Sequence, residues 1–223
     1  MRPATAGGMR PADRDVGANM ATDPLPGARV PVDFWFDPIC PWAWVTSRWV
    51  LEAAAVRPLD IRWHVISLGI LNEDLDHPAP RTGWSWKSVR VITAAQHKYG
   101  DEIVLPLYTA LGNRLHLQVS PRDLSTIEAA LVEVGLPAEL AQAALSDEYD
   151  EALQASHDAG VERSGPDLGV PVIAVGDQAF FGPIIAEAPK GEAAGRLWDL
   201  TWELAELGVY ELKRTRARPL SFG

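Results

Sequence analysis

Residues 36–44 read Phe36-Asp37-Pro38-Ile39-Cys40-Pro41-Trp42-Ala43-Trp44, and Cys40 is the only cysteine in the chain. The stretch sits between an apolar run of β-formers, Val30 to Phe36, and a run with helical character, Trp42 to Val56. That places the thiol at a helix start. Pro41 suits the first helical position, where a missing N–H costs nothing. The free N–H groups of the first turn then face the sulfur and favour its thiolate. This reading predicts a Cys40 pKa below that of a free thiol, and a nucleophile.

The spacing is that of a thioredoxin-type C-x-x-C in which Ala43 replaces the second cysteine. With one sulfur no internal disulfide can form. A redox cycle through Cys40 must pass through a mixed disulfide with another thiol or through sulfenic acid.

Working outward, Asp60 to Leu68 alternates apolar and polar residues and reads as a second strand, which gives a β-α-β unit with a right-handed crossover. Residues 72–83 read as a loop. From Trp84 to about Ser164 the pattern is helical. Helices are expected over Trp84–Tyr99, Ile103–His116, a segment capped by Ser120 with Pro121 at its first position, Pro137–Leu145 and Asp147–Glu162. Strand character returns at Val170–Val175. Gly176-Asp177 signals a hairpin to Gln178–Ile185, and a last helix covers Glu192–Leu207. The order β-α-β, helices, β-β-α predicts an α/β, thioredoxin-like fold with an all-helical insertion domain. The expected domains are residues 30–71 and 166–218 for the thioredoxin-like part, residues 72–165 for the insertion, and residues 1–29 for a flexible tail.

Composition bounds the function. The chain has 223 residues and a net charge of −10, which disfavours nucleic acid and anionic membrane surfaces as partners. The tail has no apolar core of a secretory signal. A lone cysteine excludes a disulfide framework and fits a reducing, cytoplasmic setting. The histidines show no metal-ligand spacing, so no metal is expected.

In this element order, the strand after the insertion opens with a proline facing the cysteine. Here that is Pro171, and a cis Val170–Pro171 bond is expected, leaving the Val170 N–H and C=O free to pair with an incoming chain. Asn113 and His116 end a helix of the insertion that would hang over Cys40, where His116 could hold the thiolate or pass a proton. Trp42 follows the nucleophile on the rim, and Trp84 and Trp86 lie where the loop enters the helical block and could wall the same cleft.

Together, Asp33-Phe34-Trp35-Phe36-Asp37-Pro38-Ile39-Cys40-Pro41-Trp42, Thr46-Ser47-Arg48-Trp49, Gly112-Asn113-Arg114-Leu115-His116, Phe180-Phe181-Gly182-Pro183 and Glu211-Leu212-Lys213-Arg214-Thr215-Arg216 resemble the actinobacterial DsbA-like, mycothiol-dependent reductases, also called mycothiol-dependent nitroreductases. The similarity runs from about Val32 to Arg218. It implies a cytoplasmic oxidoreductase with mycothiol as thiol co-substrate. Cys40 of Cys-Pro-Trp would be the nucleophile, and Trp42, Asn72, His116 and Val170 would line the site. The implied partners are a small-molecule thiol, a disulfide or nitro-type acceptor, a mycoredoxin and a second copy of the chain. Two departures stand out: Ala43 where the family pattern has cysteine, and a shorter loop after Asn72 with no match for a family tyrosine, whose place Trp84 or Trp86 would take. Two rival readings remain at this stage. One is a kappa-type glutathione transferase or isomerase, and the other a thioredoxin-like binding protein without redox activity.

Overall fold

A computed structural model describes residues 28–73, 78, 80–165, 169–209, 211–213 and 219–222. Residues 1–27 of the expected tail, and residues 214–218 near the C-terminus, lie outside the described residues.

Strand β1 (Val30–Phe36) leads through the Cys40 turn into helix α1 (Pro41–Ala54), and β2 (Leu59–Val65) follows. β1 and β2 pair in parallel, Phe34 opposite Trp63. β3 (Val172–Val175) pairs antiparallel with β1, and β4 (Gln178–Phe181) closes a hairpin on β3, giving the order β2-β1-β3-β4. Gly176 takes φ 53° in the turn between them, which only glycine adopts without strain. Between β2 and β3 the described elements are helical: α2 (Leu68–Leu71), α3 (Trp84–Tyr99), α4 (Val104–Gly112), α5 (Leu124–Glu133), a 3₁₀ segment (Ala138–Leu145) and α6 (Asp150–Ser164). Helix α7 (Glu192–Glu206) returns to pack on α1, where the Trp49 indole donates to the Ala194 carbonyl at 3.0 Å.

Several boundaries differ from the sequence reading. The helix expected to begin at Ser120 begins at Leu124. Asp123 is its cap, its side chain accepting from the Thr126 N–H, while Pro121 stays ahead of the helix, its carbonyl accepting from the Thr126 hydroxyl at 2.6 Å. The helix expected through His116 ends at Gly112 and widens into a π-helical turn, Asn113–Leu117. The strands expected over 170–175 and 178–185 are shorter. Gly182, at φ 103°, turns the chain out of the sheet, and the Gly182–Pro183 bond is cis. No sequence signal had singled it out.

The core is aromatic where the sheet meets the helical block. Phe36 stacks on Tyr108 with centroids 3.7 Å apart, and Trp44 meets the same ring edge-on at 5.6 Å. Gly112 makes this possible: a Cβ there would lie 2.1 Å from the Trp44 ring. Tyr108 on α4 thereby ties the helical block to β1 and α1 beneath the Cys40 turn.

Candidate active site

Cys40 is the N-cap of α1, with extended backbone (φ −78°, ψ 113°), and Pro41 occupies the first helical position, as expected. Its sulfur accepts from the Ala43 N–H at 3.4 Å and donates to the Val170 carbonyl oxygen at 3.7 Å. The Val170–Pro171 bond is cis, so the sequence expectation for that bond holds. The Gly182 N–H binds the Pro171 carbonyl at 2.8 Å, and the Thr46 hydroxyl of α1 binds the Pro183 carbonyl at 3.0 Å. Helix α1 thus grips, two residues past its first turn, the loop that props up the carbonyl opposite its own cysteine.

The expected low thiol pKa is corrected by the structure. Cys40 is 7% exposed, and burial pushes the thiol up. The Ala43 and Trp42 N–H groups pull it down, as the helix-start argument requires, while the Asp37 carboxylate adds to the upward push. Desolvation wins because the helix-start donors act on a sulfur that water scarcely reaches. The resting form is a thiol, and that agrees with its bond to the Val170 carbonyl, which only S–H can make.

His116 stands near, yet not as a direct partner of the sulfur. Its Nε2 lies 2.9 Å from the Pro38 carbonyl. A carbonyl only accepts, so Nε2 carries the proton and Nδ1 holds the free lone pair. Its ring stacks on Trp44 at 5.6 Å and on Phe222 at 6.1 Å. Burial lowers its pKa and keeps it neutral, against a smaller upward effect of the Pro38 bond. The histidine therefore braces the turn ahead of Cys40 from the helical side, with a bare nitrogen to spare.

The other predicted residues divide. Trp42 is half-buried at the start of α1. Asn72 closes α2, its amide donating to the Leu68 carbonyl at 2.8 Å. Asn113 opens the π-helical turn that presents His116. Trp84 is the first residue of α3, and among the described residues no hydrogen bond or ring contact joins it to Cys40. Trp86 is buried against Gly69 of α2, where a Cβ would come within 2.7 Å of the indole, and serves the core rather than an open wall. A cavity of about 400 Å³ runs along α1 and is lined by Trp44, Arg48, Glu52, Lys190 and Phe222, while Asn72, Val170 and Trp84 stay outside its lining.

Two residues escaped the sequence reading. Asp37, three positions before the cysteine, is fully buried. Its Oδ1 accepts from the Ile39 N–H at 3.0 Å and its Oδ2 from the Leu68 N–H at 2.7 Å. Burial raises its pKa to about 7, against the two N–H bonds that lower it. The Asp-Pro pair at a strand end, with its amide two residues on, is the signature of an Asx turn and could have flagged it. Tyr108 is the other. Its hydroxyl is buried beside Ser47, Arg48, Cys40 and Asp37, and burial raises its pKa. The Arg48 guanidinium lies 4.1 Å over the Trp44 ring, a cation–π contact on the same packed stack. Tyr108 lies about seventy positions along the chain, in an apolar helix, so nothing in the sequence tied it to the cysteine.

The family model described as Rv2466c-like, mycothiol-dependent nitroreductase Rv2466c, matches residues 39–214. The "Uncharacterized protein Rv2286c" of Mycobacterium tuberculosis is 35% identical over 194 residues, covering 83% of this chain and 82% of that one. Among solved structures, a probable DsbA oxidoreductase, SCO1869 from Streptomyces coelicolor, superposes with a TM-score of 0.57 at 15% identity, over 84% of this chain and 94% of its own. A 2-hydroxychromene-2-carboxylate isomerase gives a TM-score of 0.54 at 18% identity, over 80% and 96%. At these identities the structural likenesses establish the fold.

Proposed function

The chain belongs to the Rv2466c-like mycothiol-dependent nitroreductase family, an oxidoreductase family on a DsbA-like, thioredoxin-type fold, and from that premise we propose that it works as a monothiol reductase with mycothiol as co-substrate. The observation that carries this is the lone Cys40 at a helix start, opposite the Val170 carbonyl, with Ala43 in place of a resolving sulfur.

The thiol gives up its proton and the thiolate attacks a disulfide. One S–S bond breaks, one forms to Cys40, and the first thiolate leaves. A second mycothiol or a mycoredoxin attacks the adduct, restores the Cys40 thiolate and carries away a new disulfide. A further mycothiol, or the mycoredoxin's own second thiol, then attacks that mixed disulfide and releases the remaining half of the acceptor as a thiol, so that over the cycle two thiols become one disulfide and two electrons reduce the acceptor disulfide to two thiols. Departure of the proton frees the sulfur from the Val170 carbonyl, and the Ala43 N–H remains to hold the thiolate. The Val170 carbonyl is then open to a donor on the incoming thiol. In this reading His116, with Nδ1 bare, would accept a proton on the helical side, and Trp42 and Asn72 would be the rim that the thiol body meets. A reducing cytoplasm is the setting such a cycle requires.

The buried, protonated thiol is the one observation favouring a transferase- or isomerase-like use of the scaffold, in which the cofactor's own thiol reacts and none bonds to the protein. Intact-mass measurement after incubation with mycothiol disulfide, and separately with glutathione disulfide, decides. A one-to-one adduct on Cys40 that forms faster with mycothiol is the expected result. No adduct with either disulfide overturns the monothiol reading.

A further inference from the structure

The four N–H groups from Ser67 to Ile70, just ahead of Asn72, are held by acceptors from three parts of the fold. The Ser67 N–H donates to His157 Nδ1 at 3.3 Å, and the Leu68 N–H to Asp37 Oδ2 at 2.7 Å. The Gly69 and Ile70 N–H groups donate to the Ser67 hydroxyl at 3.1 and 3.3 Å. His157 belongs to α6 in the helical block and is 4% exposed, and Asp37 belongs to the Cys40 turn and is wholly buried. A histidine nitrogen accepts only while it is unprotonated, whereas a carboxyl keeps acceptor capacity in either form.

We propose that His157 and Asp37 are positioning residues that lock the turn carrying Asn72 against the Cys40 turn, and that this lock opens as His157 takes up a proton. The thiol-binding role of Asn72 rests on the reading above, whereas the lock itself rests on the four bonds. His157 acts from the helical block without touching Cys40. Asp37 acts on both sides, since the carboxylate that holds Leu68 also holds Ile39 beside the nucleophile. The charged groups facing His157 are Asp158 on its own helix and Glu73 just beyond Asn72. Those facing Asp37 are Cys40 and Tyr108. Burial lowers the His157 pKa, so its nitrogen stays bare at neutral pH and is protonated only in acid. Burial raises that of Asp37 to about 7, so its carboxyl takes up a proton while in place and still accepts, and the acid sensitivity of the lock rests with His157.

Hydrogen exchange on the full chain, read by mass spectrometry and corrected for intrinsic rates, tests this at about pH 8 and about pH 5.5, on either side of an ordinary histidine pKa. In the wild type, protection of the Ser67–Ile70 amides should fall by about tenfold at the lower pH, the loss of roughly one hydrogen bond's worth of local stability, while that of β1 and β2 holds. His157→Gln supplies a non-titrating acceptor and should keep most of the protection in acid. His157→Phe removes the acceptor and should lose it at both pH values. KM for mycothiol disulfide should rise in His157→Phe by more than kcat falls. Protection at Ser67–Ile70 that is equal at both pH values, or unchanged in His157→Phe, overturns the proposal. Should the Phe variant fail to fold, wild type against His157→Gln still decides: parallel loss of protection in acid overturns it. Exchange needs no thiol partner, so a failure of the mycothiol reading leaves this result standing on its own.

Discussion

The Cys40 sulfur lies 3.7 Å from the carbonyl oxygen of Val170, a residue 130 positions away in the chain, and the thiol donates to it. This bond holds the proton on the sulfur. A thiolate would face that oxygen's partial negative charge and keep the N–H groups of the first turn, that of Ala43 3.4 Å away and that of Trp42 beside it. Helix-start activation and carbonyl restraint thus oppose one another at a single atom, and burial tips the balance toward the thiol.

The first prediction follows from that balance. The rate of Cys40 alkylation by iodoacetamide should rise with a midpoint at or above about 8.5, the free-thiol value. Asp37→Asn removes a negative charge that pushes the thiol up, so its midpoint should move down. A wild-type midpoint well below the free value, or one that Asp37→Asn leaves in place, contradicts the account of the site.

Asp37 also sets a stability profile. Its carboxyl has an ordinary value of 3.8 and is raised to about 7 in the folded chain. Below about pH 4 both states are protonated, and the group contributes nothing to the pH dependence. Between about pH 4 and 7 the unfolded chain ionises and the folded one does not, so stability is lost as pH rises, up to on the order of 4 kcal/mol. His157 and His116, both lowered by burial, work in the opposite sense, costing stability as pH falls below about 6.5. Urea denaturation of Asp37→Asn should therefore show a smaller loss of stability between about pH 5 and 8 than the wild type. Parallel profiles for the two proteins would show that Asp37 is ionised throughout.

How much of this could be read from the chain depends on whether a cause was local. Strand–Cys-Pro–helix is local chemistry, and it gave the N-cap cysteine, Pro41 in the first turn and the thioredoxin element order. Pro171 was legible because that order fixes where the strand restarts. The thiol's burial was not legible. It comes from packing against Val170 and from the aromatic layer of Phe36, Trp44 and Tyr108, which only tertiary contacts assemble. The Asp123 cap lay within reach of the rules but lost to the more conspicuous Ser120-Pro121. The His157 acceptor was unreadable, since a lone histidine on a polar helix gives no hint of an amide 90 residues back.

Gly112 offers a test of the packed layer under the cysteine. In an exposed helix, Gly→Ala would gain about 1 kcal/mol. Here the new Cβ would lie 2.1 Å from the Trp44 ring, itself 1% exposed and stacked on His116. The overpacking cost of roughly 1–3 kcal/mol should outweigh the gain. Gly112→Ala should lower the denaturation midpoint and disturb the Trp44 environment in near-ultraviolet circular dichroism. A variant as stable as the wild type with an unchanged spectrum would mean that the Trp44–His116 stack moves freely.

Position 43 gives the last prediction. Ala43 is fully buried, and its N–H already touches the Cys40 sulfur. A cysteine there would stand three residues along α1, where side chains share a face. In the present sequence, attack on a low-molecular-weight disulfide leaves an adduct that no second sulfur can expel. The adduct should accumulate and vanish only when thiol or a mycoredoxin is added. In Ala43→Cys the new thiol should attack the Cys40 adduct, release the small thiol and leave an internal disulfide. Intact mass against time separates the two: a persistent adduct in the wild type, and in the variant a transient one followed by a species two hydrogens lighter than the reduced chain. Release of the small thiol from both at equal rates without added reductant would show that resolution does not run through position 43, and the monothiol cycle would fall.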